Sequence, residues 1–356
     1  MQKRNLALDY TKAVLVVGMI LSHSIQLVKT DQNNLTNNLL NLFSTYINLV
    51  TFSGFFFCFG FVYYLAYFKK DFTQVKGNIL ETGLKTLGAY YVSAFAYRLF
   101  FSDNFPVTAK GLLNILLLFD IPSLAEFLLS FFAVTIICYL FFNTIKKRLS
   151  KKWLLASAII SLLSSCLVPY DLIQNNHLGL LIGTHNFPCF PVLQYLPYFL
   201  AGIYFAQHKI TFNRYALFVS LLATGAFMVY LLVNRSSPHR FPPSFFWIIG
   251  AAGIIYIYYL AALWLNKRFT PIHYLLSIGN NTLFYLLVSN LILFTTHKQV
   301  ALLVNGNGVW AVLYGVAILA LIHFLIKLVR PQEKIAAKPE LQAIKIPAAH
   351  YEKSYP

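Results

Sequence analysis

Charged residues are scarce in this sequence, and that scarcity excludes a water-soluble protein. Asp, Glu, Lys and Arg together make up 11% of the 356 residues, whereas hydrophobic types make up 58%. A soluble domain carries roughly 25% charged residues, so this chain cannot cover a globule of its size with polar side chains. Its apolar runs approach the ~20 residues that a spanning helix needs, without the alternating ~10-residue strands of a membrane barrel. The composition therefore predicts an all-α, polytopic helix bundle in a lipid bilayer.

The sequence also lacks the short motifs that mark metal, phosphate and hydrolase sites. No HExxH, no glycine-rich phosphate loop and no Gly-x-Ser-x-Gly element is present. The four cysteines lie far apart and form no CxxC pair, so they are expected to act as small core residues. We therefore predict neither a metal site nor a permanently bound cofactor.

Acidic residues are few, and the resulting net charge of +17 has a topological explanation. The chain has 28 Lys and Arg against 11 Asp and Glu. The basic residues cluster in alternate gaps between apolar runs, for example at 69–76, 146–152 and 267–268. This alternation follows the positive-inside rule, and it predicts a multi-pass protein of the cell (plasma or inner) membrane with both termini in the cytoplasm. We expect no nucleic-acid partner.

Hydropathy divides the chain into about ten transmembrane helices. They are predicted at residues 8–29, 45–68, 79–101, 123–143, 152–169, 189–207, 214–233, 243–266, 273–296 and 308–329. Segment 111–120 is apolar but short, which predicts an interfacial or re-entrant helix on the outer side. Residues 1–330 are predicted to form the membrane domain, and residues 331–356, rich in Lys, Glu, Pro and Ala, a disordered cytoplasmic tail.

The first predicted span carries three ionisable residues on one face. Lys12 and His23 are 11 positions apart, which at about 100° per residue leaves them about 20° from alignment. Asp9 lies on the same stripe, where it can pair with Lys12. Because ionisable groups are costly in lipid, this face is predicted to line a cavity or to meet partners. The alternative is that Lys12 extends to the membrane surface and that His23 bonds to a neighbouring backbone group.

Other polar residues lie near the ends of the predicted spans. On the outer side, Glu126 lies near the depth of His23, and Arg240 is a candidate cation for it. The alternative is that Glu126 touches water at the interface. On the inner side, Lys85 joins Lys12 in a basic set that suits an anionic cytoplasmic ligand or anionic lipid headgroups. Asn281 lies near the inner end of the ninth span. It is expected either to add a hydrogen-bonding group to this set or to cap a helix.

The stretch LDYTKAVLVVGMILSHS at 8–24 resembles the first span of the acyltransferase-3 family of membrane acyltransferases. The signature of that family is an Asp, then Arg or Lys, ten residues and a His. Asp9, Lys12 and His23 match this signature. Four further segments resemble family elements in the same order along the chain, at residues 50–64, 190–206, 239–248 and 278–293.

The sequence departs from the family's motifs at three places. The Arg-x-x-Arg motif that often opens the third span is represented here by Lys85 alone. The family's Trp-Phe-Leu in the fourth span reads Glu126-Phe127-Leu128. The histidine that is usual in the ninth span falls on Ser289 or Asn290.

The resemblance implies transfer of an acyl group, commonly acetyl from acetyl-CoA as co-substrate, to a hydroxyl of a cell-surface glycan or glycolipid. His23 is then expected to act as general base or to carry the acyl group, and Glu126 to orient it or to stabilise its charge. The remaining assigned residues are Lys12, Lys85 and Asn281 for the acyl-CoA donor, and Asp9 and Arg240 for the substrate.

Two other functions are compatible with the same features. A transporter or exporter of a glycan or small metabolite would use the same polar cavity and would not consume an acyl donor. A non-catalytic partner in an envelope-synthesis complex would tolerate changes in the cavity. The ordered family-like segments favour the enzyme, for which envelope-synthesis proteins are candidate partners.

Overall fold

A computed structural model of the chain describes residues 5–29, 35–102, 107–303 and 307–329. Within these ranges the regular elements are helices, and no strand is present. The structure thus confirms the predicted all-α membrane bundle. The predicted tail at 331–356 lies outside the described residues, and the division of the chain at residue 330 stays a prediction.

Fifteen α-helices follow one another along the described chain. They are α1 Leu6–Val28, α2 Leu35–Tyr63, α3 Phe72–Ala96, α4 Ala109–Leu116, α5 Glu126–Leu140, α6 Phe142–Lys147, α7 Lys151–Leu167, α8 Asn176–Ile182, α9 Val192–Gln207, α10 Arg214–Asn234, α11 Phe245–Gly250, α12 Ala252–Arg268, α13 His273–Asn280, α14 Thr282–Leu303 and α15 Gly308–Val329. Turns of π-helix extend α2 to Phe68 and α3 to Phe101. The short α4 occupies the segment predicted as an interfacial or re-entrant helix.

Six of the predicted spans coincide with helices that are long and apolar enough to cross a membrane. These are α1, α2 with its π turn, α10, α11 together with α12, α14 and α15. The other predicted spans fall on α3, α5, α7 and α9. Helices α5, α7 and α9 have 15, 17 and 16 residues, which is shorter than the ~20 residues of a full crossing. Helix α3 has 25 residues but carries Lys76, Glu81 and Lys85 within its first 14 positions.

Helix α1 lies at the centre of the bundle, and α10 at its edge. Helix α1 packs against α2, α12, α13, α14 and α15. In its most apolar stretch of 18 residues, 67% of the residues are buried, whereas in that of α10 only 6% are buried. Asp9 and His23 are 4% and 7% exposed. The ionisable face of α1 therefore faces protein and not lipid, as the stripe of residues predicted.

Helices α2 and α9 cross at two glycines that face each other's backbone. A Cβ atom at Gly60 would lie 1.9 Å from the Phe199 carbonyl oxygen, and one at Gly202 would lie 2.0 Å from the Phe57 carbonyl oxygen. Small residues allow such close contact between helices in a membrane. This contact holds α2, which contributes to both cavities described below, against α9.

We expect Gly202→Ala to destabilise the protein by about 3 kcal/mol or more, because its methyl group would collide with backbone that no rotamer change can move. Thermal unfolding in detergent and the yield of monodisperse protein measure the effect. Gly225→Ala in α10 is the matched control, since a Cβ at that position would meet no atom within 4 Å. Equal stability of the two variants would contradict the close crossing.

Candidate active site

Three side chains that are far apart in the sequence line one small cavity on the predicted outer side. His23 comes from α1, Glu126 from the first residue of α5, and Arg240 from the loop before α11. The cavity has a volume of about 30 Å³, enough for one or two water molecules. Its lining consists of Met19, His23, Asn48, Thr51, Phe52, Phe55, Leu124, Glu126, Phe127, Phe190 and Arg240. We call it the outer cavity.

His23 is held by α1, which packs against five other helices of the bundle. Helix α1 begins after Asn5, whose side-chain oxygen accepts a hydrogen bond from the Leu8 amide at 3.3 Å. The His23 ring is 7% exposed and lies beside the side chain of Asn290 on α14. A histidine placed in this way has a defined position and limited access to water, which suits proton transfer to a bound substrate.

The segment before Glu126 has an unusual backbone that α14 holds in place. Leu124 has a φ of 66°, in the left-handed region that side chains other than glycine rarely adopt. The Asn290 side-chain amide donates a hydrogen bond to the Leu124 carbonyl at 3.1 Å. Backbone strain of this kind persists where surrounding contacts maintain it, and it is frequent at active sites. Asn290 therefore links the conformation of this segment to the wall that carries His23.

One buried oxygen atom in the wall of the outer cavity, Oε2 of Glu126, has no hydrogen-bond partner among the described residues. Glu126 is 4% exposed. Buried polar atoms are nearly always hydrogen-bonded in native proteins, so such an atom calls for a functional explanation. Its position suits a substrate that brings a donor into the outer cavity.

Arg240 places a cation at the wall of the outer cavity. Its guanidinium carbon lies 5.3 Å from the centre of the Phe190 ring and 4.5 Å from that of Phe241, within the range of cation–π contacts. Burial lowers the pKa of Arg240, and the neighbouring Tyr195 and Glu126 side chains oppose that shift. A guanidinium remains protonated in proteins, so the cavity contains a permanent positive charge.

A second cavity, of about 260 Å³, lies on the predicted inner side. Lys12 is the one charged side chain among the described residues that line it, and its Nζ atom pairs with Asp9 at 2.9 Å. Thr82, Thr86 and Asn280 add polar groups to the wall. The rest of the lining consists of Phe55, Cys58, Phe59, Val62, Phe127, Leu128, Phe131, Gly279, Thr282, Leu283 and Leu286. We call it the inner cavity.

Phe55 and Phe127 line both cavities. Phe55 comes from α2, and Phe127 follows Glu126 in α5. The two rings therefore separate His23 on one side from Lys12 on the other. They are the residues that the linings of the two cavities have in common.

The structure places two of the predicted donor residues outside the lining of the inner cavity. The Lys85 side chain is 66% exposed and pairs with Glu81 at 2.5 Å. Thr82 and Thr86 occupy the lining positions of α3 instead, because Lys85 is rotated by about 100° from Thr86 on the helix. The Asn281 side chain donates to the Ser277 carbonyl at 2.9 Å, whereas Asn280 faces the cavity.

Analysis of the sequence did not assign Asn290, Phe55 or Phe127 to the site. Asn290 is one of the two positions, with Ser289, where the family resemblance expects histidine, which was an available signal. The two phenylalanines lie in runs of aromatic and apolar residues, where periodicity marks core positions without distinguishing a partition from ordinary packing.

We expect Asn290→Ala to lower kcat about tenfold with little change in the KM for the donor. The lost hydrogen bond frees the strained segment before Glu126, and about 1.4 kcal/mol at the transition state corresponds to a tenfold change. Turnover and thermal stability measured together separate positioning from unfolding. Ser289→Ala is the control, since that buried hydroxyl donates within α14 to Leu286. Wild-type kcat in Asn290→Ala would remove its positioning role.

Comparison with protein families identifies the chain's relationship. The acyltransferase-3 family model, described as an acyltransferase domain, matches residues 5–326, which is 322 of the chain's 356 residues. The match spans both cavities and includes every residue assigned above. No curated protein and no solved structure matches the chain.

Proposed function

The chain belongs to the acyltransferase-3 family of membrane acyltransferases, and we propose that it moves an acyl group, acetyl, from cytoplasmic acetyl-CoA to a hydroxyl of a cell-surface glycan or glycolipid. The family match favours this enzyme over the transporter and over the non-catalytic partner. The acetyl donor, the O-linked product and the glycan acceptor belong to the proposal.

One observation supports the proposal above the others. His23, Glu126 and Arg240 meet in the outer cavity, while Lys12 lines a separate inner cavity across the Phe55–Phe127 pair. A base, an acid and a fixed cation thus converge where a hydroxyl and a thioester could meet. The larger inner cavity has an ammonium group at its wall, that of Lys12, which an anionic donor could approach.

In the proposed reaction, His23 accepts the proton of the acceptor hydroxyl as that oxygen attacks the thioester carbonyl carbon. A carbon–oxygen bond forms, and the carbon–sulfur bond breaks as the tetrahedral intermediate collapses. The imidazolium of His23 returns the proton to the departing CoA thiolate. Alternatively, the imidazole itself takes the acetyl group and passes it to the hydroxyl in a second step.

Glu126 and Arg240 have complementary roles in this proposal. The Glu126 carboxylate orients the imidazole and balances the charge of the imidazolium, as the acidic member does in a catalytic triad. The Arg240 guanidinium stabilises the oxyanion that develops on the thioester carbonyl. A fixed cation is effective there because the cavity is small and largely apolar.

We assign the inner cavity to the acyl-CoA donor. Lys12 contributes a positive charge at the cavity wall, held by Asp9. The exposed Lys85 and the neighbouring Asn281 would act outside the cavity, toward the nucleotide phosphates, for which a lysine serves as a point charge. Asp9 thus acts through Lys12, while Arg240 meets the substrate.

The proposed setting is the cell membrane, with both termini in the cytoplasm. Acetyl-CoA then enters from the inner side, and the acceptor glycan or glycolipid reaches His23 from the outer side. A separate envelope-synthesis protein is a candidate partner for presenting that acceptor.

The test is donor turnover by the full chain in nanodiscs. Acetyl-CoA labelled in the acetyl group is added with native membrane glycolipids, and release of free CoA thiol and transfer of label are followed together. We expect thiol release to depend on added glycolipid, and the label to become alkali-labile, as an O-ester is. Absence of acetyl-CoA binding would contradict the acetyl donor, and label in an alkali-stable product would contradict O-transfer.

A further inference from the structure

A third cavity, of about 560 Å³, lies between α5, α7 and α9, apart from the two described above. Its volume is in the ~300–1,000 Å³ range of ligand pockets. One wall is a stripe of α9 that includes Val192, Leu196, Phe199 and Ile203, spaced at one and two helical turns. We call this cavity the α5–α9 groove.

The depth of the α5–α9 groove matches one leaflet of a bilayer. Val192 and Ile203 are 11 residues apart on α9, and at about 1.5 Å per residue they are separated by about 16 Å. The hydrocarbon core of a bilayer is about 30 Å thick, so one leaflet contributes about 15 Å. An acyl chain that enters from one membrane face would therefore fit the groove along its length.

One end of the groove is polar and positively charged. Arg148 lies there, with its guanidinium carbon 5.1 Å from the centre of the Trp153 ring. Thr144 and Ser157 also line the groove and contribute hydroxyl groups. Trp153 is 53% exposed, which is typical of tryptophan at the level of lipid headgroups.

Three basic residues at this end form no ion pair with a carboxylate of the described part of the chain. They are Arg148, Lys151 and Lys152, whereas the nearby Lys146 pairs with Asp71 at 3.1 Å. The apolar groove thus opens beside a cluster of basic side chains. Clusters of this kind attract anionic headgroups at a membrane surface.

We propose that the α5–α9 groove binds an anionic phospholipid, with one acyl chain between α5, α7 and α9 and the phosphate at Arg148. The break between α5 and α6 at Phe141 brings Thr144 and Arg148 to the mouth, within reach of the glycerol and phosphate oxygens. This site does not depend on the acyltransferase reaction, because none of its residues lines the outer or the inner cavity.

The dimensions distinguish a lipid from a protein helix as the occupant. A transmembrane helix of another subunit would need contact along the whole ~30 Å of the core, whereas the α9 stripe provides about half of that depth. The charge at one end and the apolar walls elsewhere match the amphipathic form of a phospholipid. The experiment below also tests whether a second copy of the chain occupies the groove.

The test is native mass spectrometry of the full chain after exchange into equal amounts of phosphatidylglycerol and phosphatidylcholine. We expect one retained phosphatidylglycerol in the wild type, with binding about fivefold weaker in Arg148→Gln, the effect of about one interfacial charge. Arg214→Gln is the matched control, because that arginine also lies on an aromatic ring, 4.9 Å from the centre of Tyr215, but outside the groove.

A second variant tests the groove itself. Ser157→Phe places a ring among the apolar walls and should reduce lipid retention while thermal stability in detergent stays near that of wild type. Equal retention of both lipids by wild type, or unchanged phosphatidylglycerol binding in both Arg148→Gln and Ser157→Phe, would overturn the proposal. A dimer that Ser157→Phe abolishes would also overturn it, in favour of a second copy of the chain.

Discussion

His23→Ala is expected to lower acyl transfer by ~10²–10⁴-fold, the range that general acid–base catalysis usually contributes. The imidazole is the one histidine side chain among the described residues that line the outer cavity, so no neighbour replaces it in accepting the hydroxyl proton. The measurement is the rate of CoA release and of label transfer in nanodiscs. Donor affinity should change little, because the inner cavity is on the other side of the Phe55–Phe127 pair.

His323→Ala is the matched control for this variant. His323 also belongs to a membrane helix, α15, and its Nδ1 atom is 3.3 Å from the Tyr285 hydroxyl, but it lines neither cavity. We expect it to retain wild-type turnover. Thermal unfolding of both variants shows whether they stay folded. Full activity of a folded His23→Ala protein would remove His23 from the mechanism and leave the function to be sought elsewhere.

The second large effect is expected for Glu126→Gln, with kcat reduced by ~10²-fold. The amide has nearly the same shape but no negative charge, so it cannot balance an imidazolium at His23. The KM for acetyl-CoA should remain close to that of wild type, since Glu126 does not line the inner cavity. Steady-state kinetics with varied donor separate the two parameters.

Glu81→Gln provides the comparison for this charge removal. Glu81 belongs to α3, where its side chain is 60% exposed and pairs with Lys85. An exposed ion pair is screened by water and contributes little, so neither stability nor turnover should change appreciably. If the two substitutions affected kcat equally, net charge and not the position of Glu126 would be responsible.

Several features of the fold were predictable because they depend on local sequence. The helical period placed Asp9, Lys12 and His23 on one face, and the structure buries that face at the centre of the bundle. The Asp9–Lys12 pair, three positions apart, is also a local contact. Hydropathy located the spans, although α5, α7 and α9 are shorter than predicted because loops and breaks interrupt them.

The inner side of the site was less predictable. Depth along a span suggested that Lys85 joins Lys12, but the orientation of α3 exposes Lys85 and turns Thr82 and Thr86 toward the cavity. Hydropathy indicates how deep a residue lies in the membrane. It does not indicate toward which neighbouring helix its side chain points. Asn281 and Asn280 differ in the same way, since one bonds back to its own helix and the other faces the cavity.

The sequence alone determined that this protein lies in a lipid bilayer, that its fold is all-α, and that α1 has a polar face. These follow from composition and from the 3.6-residue period, which act over one or two turns. Only the tertiary structure decided that His23, Glu126 and Arg240 share one cavity and that Phe55 and Phe127 separate it from Lys12. Such neighbours depend on how helices cross, and crossings depend on close contacts such as Gly60 against α9, which join residues distant along the chain.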